Sequence, residues 1–233
     1  RDGDDWVING TKMFISGAHE AEFGLVFART DPDKGRNGIT CFLVDTDLPG
    51  FHVRRVVPTL RSAHPATELQ LEDVRVPHRN VLGEVNHGFA IANDRLTRQR
   101  LPYAAGCIGV ALKAQEMALE YVPQRETFGA PLASRQAIQW MLVDNEIDIR
   151  QATWLTLEAA HKAQRGEPFR KEAAIAKLVA SEAGGRVVDR CIQMFGGCGV
   201  TKDFPFARWY RGEGPSEVQR HVIARDLLGA SLR

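Results

Sequence analysis

The amino-acid sequence predicts an α+β fold, in which a partial, small antiparallel β-barrel-like domain precedes an antiparallel four-helix bundle. Two observations lead to this prediction. Up to Gly83, short segments suited to strands alternate with Asn, Asp, Pro and Gly, the residues that make turns. After Gly83, long stretches contain little Pro or Gly and carry apolar residues at helical spacing. We therefore expect a β domain at residues 1–84 and a helical domain at residues 85–233.

The strands of the first domain are predicted from the turn residues that flank them. Residues 6–8 and 11–16 are expected to pair as a hairpin, because Asn9-Gly10 between them is a dipeptide favoured in tight turns. About five or six short strands at this spacing favour a small barrel or a sandwich. The remaining strands are expected at residues 23–30, 38–44, 51–57 and 68–76.

Four helices are expected to form the bundle. The pair Gly196-Gly197 should end the third helix, and Pro102 should kink or divide the first. Apolar residues at steps of four and three give the third helix one buried face, made by Ile175, Val179, Ala183, Val187, Cys191 and Met194. The helices are placed at residues 85–122, 134–165, 168–195 and 216–229.

Composition excludes several classes of function. The 30 basic and 29 acidic residues are balanced and scattered, so no nucleic-acid or other polyanionic partner is expected. No HExxH or Cys/His spacing indicates a metal site. No apolar run approaches the roughly 20 residues that span a bilayer. The four cysteines form no CxxC pair, which favours reduced thiols and a cytoplasmic location, or the mitochondrial matrix if the source is eukaryotic.

Glu213 is the first candidate for catalysis. It lies between Gly212 and Gly214, in a turn just before the last predicted helix. Glycines on both sides allow a bulky ligand to approach the backbone and leave the amide free to donate a hydrogen bond. A carboxylate in this setting is suited to removing a carbon-bound proton while the enolate is stabilised. The alternative is that Glu213 only caps the helix.

Three other motifs have both a binding and a structural interpretation. The run at residues 196–199 is not a dinucleotide loop, because a helix rather than a strand precedes it; its glycines either approach a ligand or cap the helix. The run at residues 125–129, with Gln136, could hold a pyrophosphate and a planar ring, or be an ordinary polar loop. Phe14 and Ser16 share one strand face by alternation, where Phe14 either stacks on a ring or packs in the core.

Taken together, these segments closely resemble the acyl-CoA dehydrogenase family over essentially all 233 residues. Each motif alone is weak, whereas all of them in this order, over a β-then-helical layout, are specific. The motifs that carry the resemblance lie at residues 6–12, 72–77, 125–129 with Gln136, 193–197 and 213–220.

The resemblance implies an architecture. Family members have an N-terminal helical domain, a middle β domain and a C-terminal four-helix domain, and they bind FAD between subunits. The present sequence matches the later part of the middle domain and the whole C-terminal domain. Residues that would complete the flavin and acyl sites in the family are not in it. We therefore expect the sequence to be part of a longer protein, and the 233 residues alone to bind FAD weakly or not at all and to associate through exposed apolar surface.

The resemblance also implies a mechanism. Glu213 matches the family's base, which removes the pro-R α-proton of an acyl-CoA thioester while a hydride leaves the β-carbon for flavin N5. The family has a second location for its base, where this sequence has Gln99, which cannot ionise. Glu213 is therefore the only candidate base at the two positions.

Two further groups of residues are assigned by the resemblance alone. Four positions on the first helix match the stretch lining the acyl-CoA site: Thr97, Arg98, Gln99 and Arg100. The positions that match FAD contacts are Arg125, Thr127, Phe128, Leu132 and Gln136; Gln193, Gly196 and Gly197; Phe14, Ile15 and Ser16; and Gly214, Pro215, Ser216 and Glu217.

The function that the resemblance implies is FAD-dependent α,β-dehydrogenation of an acyl-CoA, in a homodimer or homotetramer that passes electrons to an electron-transfer flavoprotein. The alternatives are an acyl-CoA oxidase or another flavoenzyme of the same fold, and a catalytically silent fragment or assembly module. Acyl chain length and branching are not determined by the sequence.

Overall fold

The computed structural model describes residues 1–59, 65–210 and 215–229. These residues form two compact units, Arg1–Arg95 and Leu96–Arg233. The first contains the long strands and the second contains most of the helical residues, so the α+β prediction is confirmed.

The first unit contains two antiparallel sheets. Strands β1 (Asp5–Ser16), β5 (Ala66–Pro77) and β4 (Phe51–Val57) form one sheet in the order β1-β5-β4. Strands β2 (Phe23–Arg29) and β3 (Ile39–Asp45) form the other. Within the described residues both sheets are open, so the barrel-like domain is present as two short sheets and not as a closed barrel.

The predicted hairpin at Asn9-Gly10 is wrong. β1 is one continuous strand that pairs with β5, from Asp5 opposite Pro77 to Ser16 opposite Ala66. Asn9 lies at an irregularity in this ladder. Its side-chain Nδ2 donates to Asp73 Oδ1 at 2.9 Å, and its side-chain Oδ1 accepts from the backbone amide of Asp73 at 2.8 Å. Pairing with a distant strand has overridden a local turn signal, because the long ladder satisfies more backbone groups than a hairpin could.

The core of this unit lies around Trp6. The indole packs edge-on against Phe42, with ring centroids 5.6 Å apart, and Nε1 donates to His78 Nδ1 at 3.1 Å. The hydrogen bond satisfies the one polar atom of a buried indole. The buried apolar residues come from β1, β2, β3 and β5: Trp6, Ile8, Val26, Phe42, Val44, Leu71, Val74 and Val76.

The four predicted helices are all present. They are α1 (Gly88–Gln124), α2 (Gln136–Gln164), α3 (Arg170–Phe195) and α5 (Ser216–Leu228), with a single-turn helix α4 (Phe206–Trp209) before the last. Pro102 does not divide α1, which is helical on both sides of it.

Side-chain contacts give the helix directions. Asp148 pairs with Arg186, and Lys162 pairs with Glu172 at the other end, so α2 and α3 are antiparallel. Helix α1 runs parallel to α3, because Ala114 O accepts from Cys191 and a side chain at Gly184 would meet Cys107 O at 3.4 Å. Small residues at this contact let the two backbones approach closely, which is why alanine dominates the core of this unit.

Candidate functional site

The most exposed part of the predicted cofactor site is a small hairpin between α1 and α2. Strands β6 (Glu126–Thr127) and β7 (Ala130–Pro131) pair, leaving a two-residue turn at Phe128 and Gly129. Their φ values of 51° and 75° are those of a type I′ turn, which usually has Asn or Gly at the first position. A phenylalanine in this conformation is strained, and its ring is 100% exposed. Strain and exposure of this kind are typical of a functional position.

The other predicted residues of this group surround the same turn. Arg125 precedes it and is exposed, and its carbonyl accepts the Leu132 amide at 2.6 Å. Arg135 Nη2 donates to Thr127 O at 2.5 Å, which ties the hairpin to the start of α2, where Gln136 is the exposed first residue. Leu132 is partly buried against the bundle core. A guanidinium, a hydroxyl, an aromatic ring and an amide therefore lie on one short projection.

The end of α3 is the second part of the site. Gly196, with φ of 59°, is the C-cap of the helix and donates its amide to Gln193 O. Gly197 is exposed, and a Cβ placed there would meet nothing within 4 Å. Gly196 therefore caps the helix, as one of the two interpretations expected, and the open space at Gly197 leaves room for a ligand to approach the backbone.

The third group lies on β1 in the first unit. A bulge between Lys12 and Ile15 interrupts the ladder, so the strict alternation that placed Phe14 and Ser16 on one face does not hold there. Phe14 has φ of 60° and is 67% exposed, so it does not pack in the core. Ile15 and Ser16 are also exposed, and Ile15 O accepts from the Thr67 hydroxyl at 2.8 Å.

The predicted acyl-CoA stretch on α1 is partly buried. Thr97 and Arg100 are each 8% exposed, whereas Arg98 is exposed and Gln99 is half-buried. Arg100 donates from Nε to Gln219 Oε1 of α5 at 2.8 Å and from Nη1 to Thr97 Oγ1 at 3.3 Å. Burial, and then the nearby charge of Arg170, lower the pKa of Arg100.

The candidate base lies outside the described residues, as do Gly214 and the rest of residues 211–214. The structure resumes at Pro215, which is the N-cap of α5 with extended backbone. Ser216 is the first residue of that helix, and Glu217 is exposed in its first turn.

The structure also contains a cavity in the first unit that the sequence did not indicate. Its volume is about 510 Å³, and its walls come from the turn Pro32–Gly38 and from the chain around the start of α1. The Arg36 guanidinium lies 5.9 Å from the centre of the Phe89 ring. The lining residues are Lys34, Arg36, Asn37, Val85, Asn86, His87, Phe89 and Ala90.

Gly88 explains how the two walls meet. A Cβ at Gly88 would lie 2.6 Å from the Cys41 amide nitrogen, so only glycine lets the chain at the start of α1 lie against β3. Asn86 is held nearby, because its backbone amide donates to Thr40 Oγ1 at 2.8 Å and its side-chain Oδ1 accepts from the Thr30 hydroxyl at 2.7 Å. The two segments that line the cavity, residues 34–37 and 85–90, lie far apart in sequence, so no local motif indicated that they meet.

Carboxylates lie beside two of the side chains that line this cavity. Lys34 pairs with Asp31 at 2.8 Å, and His87 lies 3.3 Å from Glu84. Phosphate oxygens and a planar heterocycle are ligands suited to a lining of cationic side chains and one aromatic ring.

Two family models match the chain in series. The acyl-CoA dehydrogenase middle domain matches residues 1–74, and the acyl-CoA dehydrogenase C-terminal domain matches residues 86–228. Among curated proteins, the chain is 38% identical to the mitochondrial short/branched chain specific acyl-CoA dehydrogenase of Rattus norvegicus, over 97% of the chain and 54% of the relative.

Solved structures give the same result. Butyryl-CoA dehydrogenase from Megasphaera elsdenii superposes with a TM-score of 0.91 and 39% identity, over 98% of this chain and 62% of that one. A chain from a structure described as the electron transferring flavoprotein of Acidaminococcus fermentans has a TM-score of 0.92 and 35% identity, over 98% and 62%. The chain thus spans between 54% and 62% of the length of these proteins. No helix in the described part of the chain is long and apolar enough to cross a membrane.

Proposed function

Because the chain belongs to the acyl-CoA dehydrogenase family, we propose that it forms part of an enzyme that oxidises an acyl-CoA thioester between its α and β carbons. The observation that carries this proposal is the match of two of the family's domains in their family order, over nearly the whole chain. Relatives of this family are FAD-dependent flavoproteins, and FAD is the proposed cofactor.

Glu213 is the proposed base. It lies within the matched C-terminal domain, in the motif that carries the family's carboxylate, and glycines flank it. It removes the α-proton, and a hydrogen bond to the thioester oxygen stabilises the enolate charge that develops. Gln99, at the rival position on α1, carries an amide that cannot accept this proton.

The hairpin after α1 supports the choice of cofactor. Exposed Arg125 offers the charged donors that a pyrophosphate needs, and the fully exposed ring of Phe128 offers a surface for a planar base. The end of α3 at Gln193, Gly196 and Gly197 provides backbone that a ligand can approach. FAD, when bound, supplies the acceptor for the hydride that leaves the β-carbon. The residues on β1 and at residues 214–217 stay proposed contacts from the family motif.

The cavity in the first unit supports coenzyme A as the carrier of the acyl group. Coenzyme A ends in a phosphorylated adenosine, which needs cations for its phosphates and a flat surface for its base. Arg36 and Lys34 offer the charge, and Phe89 offers the ring. A cavity of about 510 Å³ lies within the range of small-molecule sites. We assign this cavity to the nucleotide end of the substrate.

A homo-oligomer is proposed from an exposed stripe on α2. Its side chains recur at steps of three, four and seven, which places them on one helix face. Exposed apolar side chains in such numbers indicate a protein contact, and a second copy of the chain is the proposed occupant. The stripe consists of Trp140, Val143, Ile147, Trp154 and Leu157. An electron-transfer flavoprotein is the proposed electron acceptor, and similarity to a chain from such a structure is compatible with it.

The test of the proposed function is Glu213→Gln in the complete, FAD-loaded enzyme. Flavin reduction on adding acyl-CoA without oxygen is expected to slow by at least about 10²-fold, a typical general-base contribution. Glu120→Gln, an exposed change on α1, is the control. An unchanged rate in Glu213→Gln would remove this residue from the mechanism, and a wild-type enzyme that acyl-CoA does not reduce would favour the silent-module alternative. Rapid reoxidation of the reduced flavin by oxygen would favour the oxidase alternative.

A further inference from the structure

The bulge in β1 contains a strained aromatic residue. Met13 and Phe14 together lie opposite the single residue Glu68 of β5. Phe14 has φ of 60°, in the left-handed region that favours glycine, and 67% of it is exposed. An exposed ring gains little from packing, so the contacts that keep this backbone conformation must come from the residues on either side of it.

A second bulge lies on the other side of β5, at the same level of the sheet. Val53 of β4 pairs with Leu69 and Arg55 pairs with Glu68, which leaves Arg54 as an extra residue. The Glu68 carboxylate accepts hydrogen bonds from Arg54 Nη1 at 3.1 Å and from Arg55 Nε at 2.7 Å. Bulges on both neighbours of one residue bend and twist the sheet here, and bulges next to active sites re-aim side chains.

A buried hydroxyl holds the β1 bulge on the side that follows Phe14. Thr67 of β5 is 0% exposed, and its hydroxyl donates to Ile15 O at 2.8 Å. Ile15 comes directly after Phe14 and is the residue at which pairing with β5 resumes. The side-chain hydrogen bond therefore fixes the chain at the point where the ladder begins again.

A lysine holds the bulge on the side that precedes it. Lys12 comes directly before Met13, and its Nζ donates to Phe27 O of β2 at 2.8 Å, so this hydrogen bond joins the two sheets of the unit. Lys12 is partly buried, and burial lowers its pKa. The bulge is thus fixed at both ends by side chains, one reaching β2 and the other coming from β5.

We propose that Lys12 and Thr67 are positioning residues that hold Phe14 in its strained, outward conformation for contact with FAD. This inference rests on the proposed function, in which Phe14, Ile15 and Ser16 are contacts of the cofactor. Backbone strain persists only where the surrounding structure enforces it. A conformation that is enforced before binding does not have to be ordered when the ligand arrives, which favours binding.

The test is a double-mutant cycle in the complete apoenzyme, titrated with FAD. Thr67→Val and Lys12→Met each remove one hydrogen bond, and each is expected to raise Kd for FAD by about three- to tenfold, the scale of one hydrogen bond. In a Phe14→Ala background the same changes should alter Kd by less than about twofold, because the ring that they position is gone. An equal rise in Kd with and without the Phe14 ring would overturn the inference.

Two further variants separate positioning from general loss of stability. Thr40→Val, at another fully buried threonine of the same unit, is the matched control and should bind FAD normally. Thr67→Ser keeps the hydroxyl and should retain the wild-type affinity. If Thr40→Val raised Kd as much as Thr67→Val, the effect would be one of stability, and the proposed positioning would be wrong.

Hydrogen exchange tests the same inference without the cofactor. Backbone amides at residues 13–16 should exchange faster in Thr67→Val and in Lys12→Met than in the wild type, and should be unchanged in Thr40→Val. Unchanged exchange in both of the first two variants would contradict the inference. A wild-type apoenzyme that does not bind FAD would count against the proposed function, and the exchange experiment would still decide whether Lys12 and Thr67 hold the bulge.

Discussion

Tyr121 of α1 and Phe195 of α3 stack with their ring centroids 4.1 Å apart and their planes 13° from parallel. Tyr121 O also accepts the Arg125 amide at 3.0 Å, and Phe195 is followed directly by Gly196. The stacked pair therefore brings together the end of α1, which leads into the hairpin carrying Phe128, and the end of α3, which leads into Gly196 and Gly197. The proposed cofactor site takes residues from both of these segments, which are far apart in sequence.

Phe128→Ala is expected to weaken FAD binding without unfolding the protein. The ring is fully exposed, so its removal costs little packing in the free chain. If it stacks on a base, the loss should be about 1–3 kcal/mol of binding free energy. Titration of the complete apoenzyme with FAD measures this. Phe23→Ala, at another exposed phenylalanine, is the control and should bind FAD normally. Equal affinities for all three proteins would exclude Phe128 from the cofactor site.

Arg36→Gln is expected to raise KM for acyl-CoA by about tenfold or more, because a hydrogen bond between charged groups contributes about 1.5–3 kcal/mol. The same acyl group on pantetheine, which lacks the nucleotide, should show no change in KM. Steady-state rates with the two substrates measure the difference. Arg54→Gln, at an exposed arginine paired with Glu68, is the control. A similar rise in KM for both substrates would show that the cavity does not bind the nucleotide.

Asp148→Asn is expected to destabilise the helical unit by about 2 kcal/mol, the scale of hydrogen bonds to charged groups. Asp148 is 8% exposed and accepts from Arg186 Nη2 at 2.6 Å and from Arg190 Nη1 at 2.8 Å. Urea unfolding at neutral pH measures the change. Asp144→Asn, an exposed change one turn earlier on α2, is the control and should have little effect.

The same carboxylate gives a pH dependence. Burial opposes its ionisation, but hydrogen bonds and charges from Arg186 and Arg190 prevail, so its pKa is lowered in the folded state. The stability it contributes is present above the unfolded pKa of about 3.9 and is lost as pH falls through the lower folded value. The free energy of unfolding should be measured from about 2 pH units above the unfolded pKa to about 2 units below it. Over this range it should fall less steeply in Asp148→Asn than in the wild type. Parallel curves would contradict this assignment.

Trp154→Glu is expected to weaken self-association of the complete protein. Trp154 is 69% exposed in the α2 stripe, and a charge there would have to be desolvated on contact with a second copy. Analytical ultracentrifugation over a range of concentrations measures the change. Ala160→Glu, also exposed on α2 but outside the stripe, should leave the oligomer intact. An unchanged oligomer in Trp154→Glu would place the subunit contact elsewhere.

Secondary structure was predicted well where the local signal and the tertiary contacts agree. β4 has the expected bounds, 51–57, and α3 begins two residues after the expected start and ends at the expected residue. The predicted hairpin at Asn9-Gly10 was wrong because β1 pairs with β5, whose residues lie at least fifty positions further along the chain. Turn chemistry is a local preference, and a long-range ladder can override it.

Residue types and their spacing along the chain were sufficient to predict the family, the α+β layout, the positions of the helices and the motif residues that carry the proposed chemistry. The packing of the folded chain was needed to show that Phe128 is fully exposed in a strained turn, that Glu182 of α3 accepts a hydrogen bond from Arg220 of α5, and that Arg36 and Phe89 lie side by side in the lining of a cavity. Each of these depends on side chains from segments that are distant in sequence or on a backbone conformation that residue type does not favour. Periodicity does not encode such contacts, since they arise only when the helices and sheets pack.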